Sequence, residues 1–445
     1  MNKLKTAITA ILLSSSLGTY AQSMWTYFSA DDFEKRRAKV MEQIGDGVAI
    51  LQGANLPDGY VKFRQDNNFY YLTGVETPGA VLILNGRTKT STLLVPDKVS
   101  ADIRDEARIT PQSNSASEYK FTNIVSKTAM TSQITNLVMR NHDIWVITTP
   151  EETAQMTRSR CQSQQHNITN DPWDGRTSKE LAFINNLKTR FPLISLKDLT
   201  PILDNMRWIK DEKEIAVLRK CGELAARGFD EAMRVTRPGI YEYQVVAATD
   251  FVYGNGGAFG PAYFAIAAGG ANGLSWHYNA NNHKLKKGEL FYLDYAPEVH
   301  YYSTDITRTW PVEGEFNPTQ LKYYNCVKEA SEKVIAAIKP GVTVDDLRKI
   351  CKDVFVKHGL EKFYVNSIGH FVGMSVHDVG DYSKPFEPGV VFNVEPILED
   401  KEQKIHVRIE DTIVVTANSY ENLTKSTPTN PLEIYKLMNQ KGIGE

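Results

Sequence analysis

The second half of this 445-residue chain repeats itself, and that repeat limits its fold more than any other feature. Arg237-Pro238-Gly239 returns as Lys339-Pro340-Gly341, 102 residues later. The run Lys286–Asp294 (KKGELFYLD) returns as Glu387–Glu395 (EPGVVFNVE), 101 residues later. Each Pro-Gly step ends one helical stretch and starts the next. Each apolar run reads as a strand that ends on a carboxylate. The repeating unit is therefore helix, helix, strand hairpin. Two such α+β halves would face each other across one centre, and each would deliver acid to it.

The carboxylates come in pairs. Asp294 ends the first strand, and Asp305 lies in the aromatic and β-branched run Tyr301–Thr309, with Ala296-Pro297-Glu298-Val299 read as the connecting loop. Glu395 and Glu410 stand at the matching places of the second hairpin. His370 lies between glycines in the stretch Ser367–Gly373, where the backbone can approach closely. Strands this apolar do not accept charge without a compensating partner. Four carboxylates and one imidazole carry four negative charges, which two divalent ions bridged by shared carboxylates would balance. Oxygen-rich ligation points to hard or borderline ions such as Mn²⁺. Two adjacent ions can activate a water and polarise a carbonyl, so the chemistry implied is metal-assisted hydrolysis. Three residues flank the five: His277, His377 and Arg408. A neutral imidazole can hydrogen-bond a substrate carbonyl or a tetrahedral intermediate. Arg408 shares a strand face with Glu410 and either serves substrate or pairs a ligand carboxylate.

The first half reads differently. Strand-like runs at 48–52, 80–84, 90–96 and 143–149 alternate with helical stretches, the first of them capped by Asp31-Asp32. This is an α/β domain, residues 24–204, followed by the α+β domain, 205–445. The helix Glu212–Val235 opens the second domain, and its charges are read as a solvated face. The stretch Phe63–Gly74 (FRQDNNFYYLTG) is read as a polar turn and an aromatic strand, with no chemistry assigned.

Net charge is −2, so electrostatics favour neither nucleic acid nor an anionic membrane. Beyond the first twenty residues no apolar run is long enough to span a bilayer. Residues 1–21 carry Lys3 and Lys5, a short apolar core, and small residues up to Ala21, the pattern of a secretory signal peptide. The residue directly after the cut site is Gln22 and not cysteine, so no lipid anchor is expected. A periplasmic or secreted protein follows. The four cysteines form no CxxC pair, which leaves a structural zinc site unsupported. Cys326 and Cys351 fall on neighbouring helices and could meet, although spacing does not fix a connectivity.

These motifs resemble the pita-bread metallopeptidase family, which holds aminopeptidase P, prolidase and methionine aminopeptidase. The likeness is carried by Asp294-Tyr295-Ala296, Tyr302–Thr309, Gly369–Asp378, Val394-Glu395-Pro396 and Arg408–Asp411. The stretch Phe63–Gly74 resembles the opening domain of aminopeptidase P and prolidase, which methionine aminopeptidases lack. The resemblance implies a creatinase/prolidase-type α/β domain before a pita-bread α+β domain. It implies a dinuclear centre, usually Mn²⁺, held by Asp294, Asp305, His370, Glu395 and Glu410. Glu395 would also carry the proton, His277 and His377 would hold the scissile carbonyl and the proline side, and Arg408 would belong to the same hydrogen-bonded shell. The substrate implied is a proline-containing peptide that loses the residue before proline, and relatives suggest a homo-oligomer, dimer or tetramer. The rivals are a prolidase acting on Xaa-Pro dipeptides, a non-catalytic peptide-binding protein of the same fold, and a creatinase-like amidinohydrolase. Departures from the family pattern are Asn366, Ser367, Ala296 and Ile397; none removes a ligand.

Overall fold

The computed structural model describes residues 26–97, 109, 115–140, 143–152 and 155–443. The expected leader at 1–21 lies outside the described residues. The N-terminal domain is built on a six-stranded mixed sheet of β1 (Val48–Gln52), β2 (Val81–Asn85), β3 (Thr90–Val95), β4 (Asn123–Ser126), β5 (Ile144–Val146) and β6 (Leu196–Asp198), in the order β4-β3-β2-β1-β5-β6. Its strands lack polar alternation because both faces are covered. Val48, Ile50, Val81, Ile83 and Ile144 pack on one side. Ala49, Leu51, Leu82 and Leu84 face the other, in a core that runs on into the C-terminal half.

Two local expectations are corrected. The helix Ala30–Gln43 is capped by Ser29 in a box with Asp32, because Ser29 is the residue with extended backbone. The aromatic run after Asp66 is not a strand but the helix Asn67–Thr73, capped by the Asp66 carboxylate on Phe69 N (2.8 Å) and stopped by left-handed Gly74. Phe, Tyr and Thr favour strands, yet a good cap and complete burial override that preference here.

The linker helix Thr200–Trp208 leads into the helix Glu212–Val235, whose Asp211 cap and Glu214 form a capping box. The reading of its charges as solvated fails at Glu214. That residue is buried, accepts from the Tyr302 hydroxyl (2.7 Å) and pairs with Arg36 of the N-terminal domain (3.5 Å).

Both halves of the repeat are present. The first has the helices Glu212–Val235 and Glu242–Asn255, and the second has Pro318–Ala337 and Val344–Lys357. The strands that follow are β7 (Gly260–Pro261), β8 (Ile266–Gly269), β9 (Leu290–Asp294), β10 (Pro297–Val299), β11 (Tyr302–Ser303) and β12 (Thr307–Pro311), then β13 (Tyr364–Val365), β14 (Val391–Val394), β15 (Ile397–Asp400), β16 (Ile405–Arg408), β17 (Asp411–Val415) and β18 (Tyr420–Asn422). The duplication extends to backbone geometry. Gly239 and Gly341 have φ of 95° and 91°, and Gly288 and Gly389 have 83° and 91°. Each repeated Pro-Gly or Lys-Gly turn thus uses a left-handed glycine at the same point.

The hairpins are longer than the expected four-residue loop. β9 pairs with β12, with Asp294 opposite Thr307, and the small hairpin β10–β11 is inserted between them. Likewise β14 pairs with β17, with Val394 opposite Asp411, and β15–β16 is inserted. The halves meet where Glu410 N donates to Thr307 O (3.0 Å). The four acids therefore sit at the ends of four central strands, at the seam.

All four cysteines are buried and free, so the Cys326–Cys351 bond left open by the sequence is not formed. Burial pushes both thiols up to about 12, the behaviour of core residues. Among the described residues no helix is long and apolar enough to cross a membrane.

Candidate metal centre

Five side chains converge at the seam: four carboxylates from the ends of the repeated hairpins, and His370 from the glycine-flanked stretch before β14. Ligand atoms of Asp294, Asp305 and Glu410 lie within 4.8 Å of one another, and so do those of His370, Glu395 and Glu410. A third cluster joins Asp305, His370 and His377. Glu410 is shared between the first two, so one continuous donor set of two overlapping halves results. Of the flanking residues, His377 joins the cluster, its ring stacked on His370 with centroids 3.6 Å apart. His277 stays outside it, exposed on the loop after Leu274. Arg408 takes the pairing arrangement: Nη1 donates to Asp294 Oδ2 (2.9 Å) and Glu395 Oε1 (3.1 Å), and Nη2 to Trp276 O (3.4 Å).

A tight surrounding shell fixes the donors. His370 Nδ1 lies 3.2 Å from Phe371 O, a contact that needs Nδ1–H and so leaves the Nε2 lone pair facing the cluster in the neutral ring. Asn393 holds the His370 backbone N–H (2.7 Å) and also donates to Glu410 Oε1. Thr307 Oγ1 donates to Glu410 Oε2 (2.6 Å), and Thr412 Oγ1 accepts from Asp305 N (2.8 Å). Gly369 has φ of 137°, and a Cβ there would lie 2.0 Å from Asn393 O, so glycine is required beside His370.

Sequence reasoning missed Tyr263. Its hydroxyl lies 2.8 Å from Asp294 Oδ1 and 2.7 Å from Asp305 Oδ1, bridging two ligands. It sits in a short irregular segment with no periodic or motif signal. The only hint was an aromatic with a polar tip next to Pro261 in an otherwise small-residue stretch. We expect Tyr263→Phe to weaken divalent-ion affinity by about 10-fold, read by calorimetric titration, because loosening a ligand's hydrogen-bonded partner costs metal sites that much.

The charge balance decides what the cluster is built for. Four buried carboxylates face a single guanidinium. Burial raises the Asp294 carboxyl to about 8, with Asp305 and Glu395 adding to it against Arg408. Burial, then Asp305, Glu395 and Asp294, lift Glu410 well above the usual carboxylate range. Glu395 is raised by burial despite Arg408 and His370. Asp305 alone is lowered: burial raises it, but its contacts with His370, Tyr263 and His377 together outweigh that. Carboxylates that resist ionisation by mutual repulsion, with their orientations already fixed, fit divalent cations and are poorly served by anything else on the chain. Burial and His370 together push His377 down to about 3, so that imidazole is neutral at ordinary pH; partial desolvation, then Arg408, lower His277 in the same direction.

Comparison with known proteins agrees with this geometry. The aminopeptidase P N-terminal domain model matches residues 33–145, and the model of metallopeptidase family M24 matches 216–417. An Xaa-Pro dipeptidase of Pyrococcus horikoshii is 32% identical over 56% of this chain and 72% of its own length. The chain belongs to metallopeptidase family M24. Within this family, the Xaa-Pro aminopeptidase of Escherichia coli is 29% identical, covering 92% of this chain and 98% of its own. The solved aminopeptidase PepP of Pseudomonas aeruginosa superposes with a TM-score of 0.78 at 28% identity, over 92% of this chain and 98% of that one. The fold of a putative aminopeptidase P from Bacillus anthracis matches at a TM-score of 0.82 and 24% identity, over 94% and 100%. The fold is therefore the expected one, a creatinase/prolidase-type α/β domain followed by the duplicated pita-bread domain, and divalent metal ions belong to its catalytic centre.

Proposed function

We propose that this chain is an Xaa-Pro aminopeptidase, releasing the first residue from peptides with proline second. The observation that carries the reading is the complete five-donor cluster in a chain matched over 92% of its length, across both domains, by Xaa-Pro aminopeptidases. The dipeptidase relative matches little more than half of the chain. A related aminopeptidase P from E. coli has been solved with the inhibitor Pro-Leu, a peptide that begins where this cleavage would leave it.

Asp294, Asp305, His370, Glu395 and Glu410 would hold two divalent ions, assigned as Mn²⁺ from the oxygen-rich donor set. Such ions supply a water of lowered pKa and positive charge beside the scissile carbonyl. The chain does the rest. Glu395 has Oε1 held by Arg408, so Oε2 takes the water's proton and passes it to the proline nitrogen. That nitrogen belongs to a tertiary amide with no N–H and leaves only when protonated. The neutral His277 and His377 rings donate N–H to the carbonyl oxygen as it gains charge. Arg408 keeps Asp294 and Glu395 from swinging apart.

The test is hydrolysis of Xaa-Pro-Yaa and Xaa-Pro peptides by the metal-loaded protein. Cleavage of the tripeptide before proline is expected. Cleavage of the dipeptide alone would move the assignment to a dipeptidase. Export directed by residues 1–21 and assembly as a homo-oligomer belong to the same reading; N-terminal sequencing of the mature protein and light scattering check them.

A further inference from the structure

The stretch Phe63–Gly74 has no part in the chemistry above, yet its polar residues are buried against the catalytic domain. Arg64 donates through Nε to Glu298 Oε1 (2.9 Å) on β10 and through Nη2 to Met374 O (3.3 Å). Arg64 Nη1 orients Asn67 by donating to its Oδ1 (2.9 Å). The Asn67 amide then reaches Ser375 Oγ (3.1 Å) and Glu152 Oε2 (2.8 Å), and Ser375 Oγ donates to the same Glu152 oxygen (3.1 Å). Arg207, on the linker helix, donates to Glu152 Oε2 (3.0 Å), Asn68 Oδ1 (2.8 Å) and Asp378 Oδ1 (2.6 Å). Lys210 Nζ and Met374 N complete Asp378 Oδ2 at 3.2 and 3.3 Å. Asp378 is pressed against the chain so closely that a Cβ on Gly373 would lie 2.1 Å from its Oδ2.

Every one of these bonds ends on the segment Met374–Asp378 or on a group that holds it. That segment presents His377, which lies between Ser375 and Asp378 in sequence and stacks on the metal-ligand candidate His370. The network is charge-balanced: Arg64, Arg158, Arg207 and Lys210 meet Glu152, Asp204, Glu298 and Asp378. Equal numbers of opposite charges make such a buried network less costly than one with an unpaired charge, although Arg158 Nη2, Asp204 Oδ1 and Arg207 Nε make no hydrogen bond of their own. The metal cluster has the opposite character, with acid in excess. The two adjoin through His377 and His370.

We propose that the N-terminal domain acts on the reaction by positioning His377: Arg64, Asn67 and Glu152, with Arg207 of the linker, clamp the segment on either side of this histidine and set its ring against the metal centre. These are positioning residues, since none reaches the reacting atoms. The inference rests on the role given to His377 in the proposed function.

The test uses the mild variants Asn67→Ala and Ser375→Ala, each with its thermal midpoint recorded so that folded protein is compared with folded protein. Each is expected to lower kcat/KM on an Xaa-Pro-Yaa peptide by about tenfold, the scale of effect that a small displacement of a substrate-holding group produces. In a His377→Ala background the same changes are expected to cost less than about twofold, because the residue they act through is gone. Equal losses in both backgrounds, or no loss in the single variants, would overturn the proposal. An independent reading comes from histidine-labelled protein loaded with a diamagnetic divalent ion. Asn67→Ala should shift or broaden the His377 ring resonance, and an unchanged resonance would also overturn the proposal. Failure of the wild-type protein to cleave any Xaa-Pro peptide would instead strike the functional reading and leave the resonance measurement to judge the clamp.

Discussion

Glu395→Gln is expected to lower kcat on Xaa-Pro-Yaa peptides by about 10³-fold, the middle of the range for loss of a general acid–base group. The glutamine keeps one carbonyl oxygen, whose two lone pairs can serve Arg408 and a metal ion, but its amide cannot accept a proton at neutral pH. The loss should therefore fall on kcat, with metal content near that of the wild-type protein by elemental analysis. The geometry makes the assignment specific. Glu395 is the carboxylate whose Oε1 is held by Arg408 while it also sits with His370 and Glu410 in the donor set. Asp294 and Asp305 are bridged by the Tyr263 hydroxyl, and Glu410 is held by both Thr307 and Asn393. A variant that turned over normally with a full complement of metal would remove Glu395 from the proton path.

The second large effect concerns stability. Arg207→Met would leave Glu152 and Asp378 without their shared cation at a site where the arginine is 1% exposed. Burial alone would raise the Glu152 carboxyl, but Arg207 and Arg158 hold it well below the usual carboxylate range. Removing one partner of such a buried network costs about 3–5 kcal/mol, because one negative charge in excess stays buried with only Arg158 on Glu152 and Lys210 on Asp378 to offset it. Chemical denaturation should show a loss of that order at neutral pH. A loss under about 1 kcal/mol would mean that water reaches the network and that the interface between the domains is looser than the contacts indicate.

How much of this was visible in the chain differs from residue to residue, for physical reasons. The convergence of the four carboxylates was legible because duplication placed them at the ends of runs too apolar to carry charge for their own sake, whereas His370 was marked only by its flanking glycines and the family resemblance. The pairing of Arg408 with a ligand carboxylate was legible only as one of two alternatives, since strand alternation gives the face of a side chain but not its partner. Tyr263 was not legible. It lies in irregular backbone, and its role depends on carboxylates that arrive 31 and 42 residues later in the chain. The helix at Asn67–Thr73 was hidden by its composition, since Phe69, Tyr70 and Tyr71 favour strands and only the Asp66 cap and tertiary burial reverse the preference. Glu214 looked like one more charge on an amphipathic helix, and nothing local marks it as the partner of Arg36 and Tyr302. The clamp around Asp378 was equally invisible. Its members are spread from Arg64 to Asp378, and long-range ion pairs leave no periodic trace.

The central claim is that the seam between the repeated halves is a two-ion hydrolytic centre. The direct measurement is to strip the protein with a chelator, titrate Mn²⁺ back, and follow bound metal and Xaa-Pro-Yaa hydrolysis together. The stripped protein should cleave nothing, and activity should rise to its maximum as two ions bind per chain. Full activity in the stripped protein, or two bound ions without cleavage of any Xaa-Pro peptide, would contradict that claim.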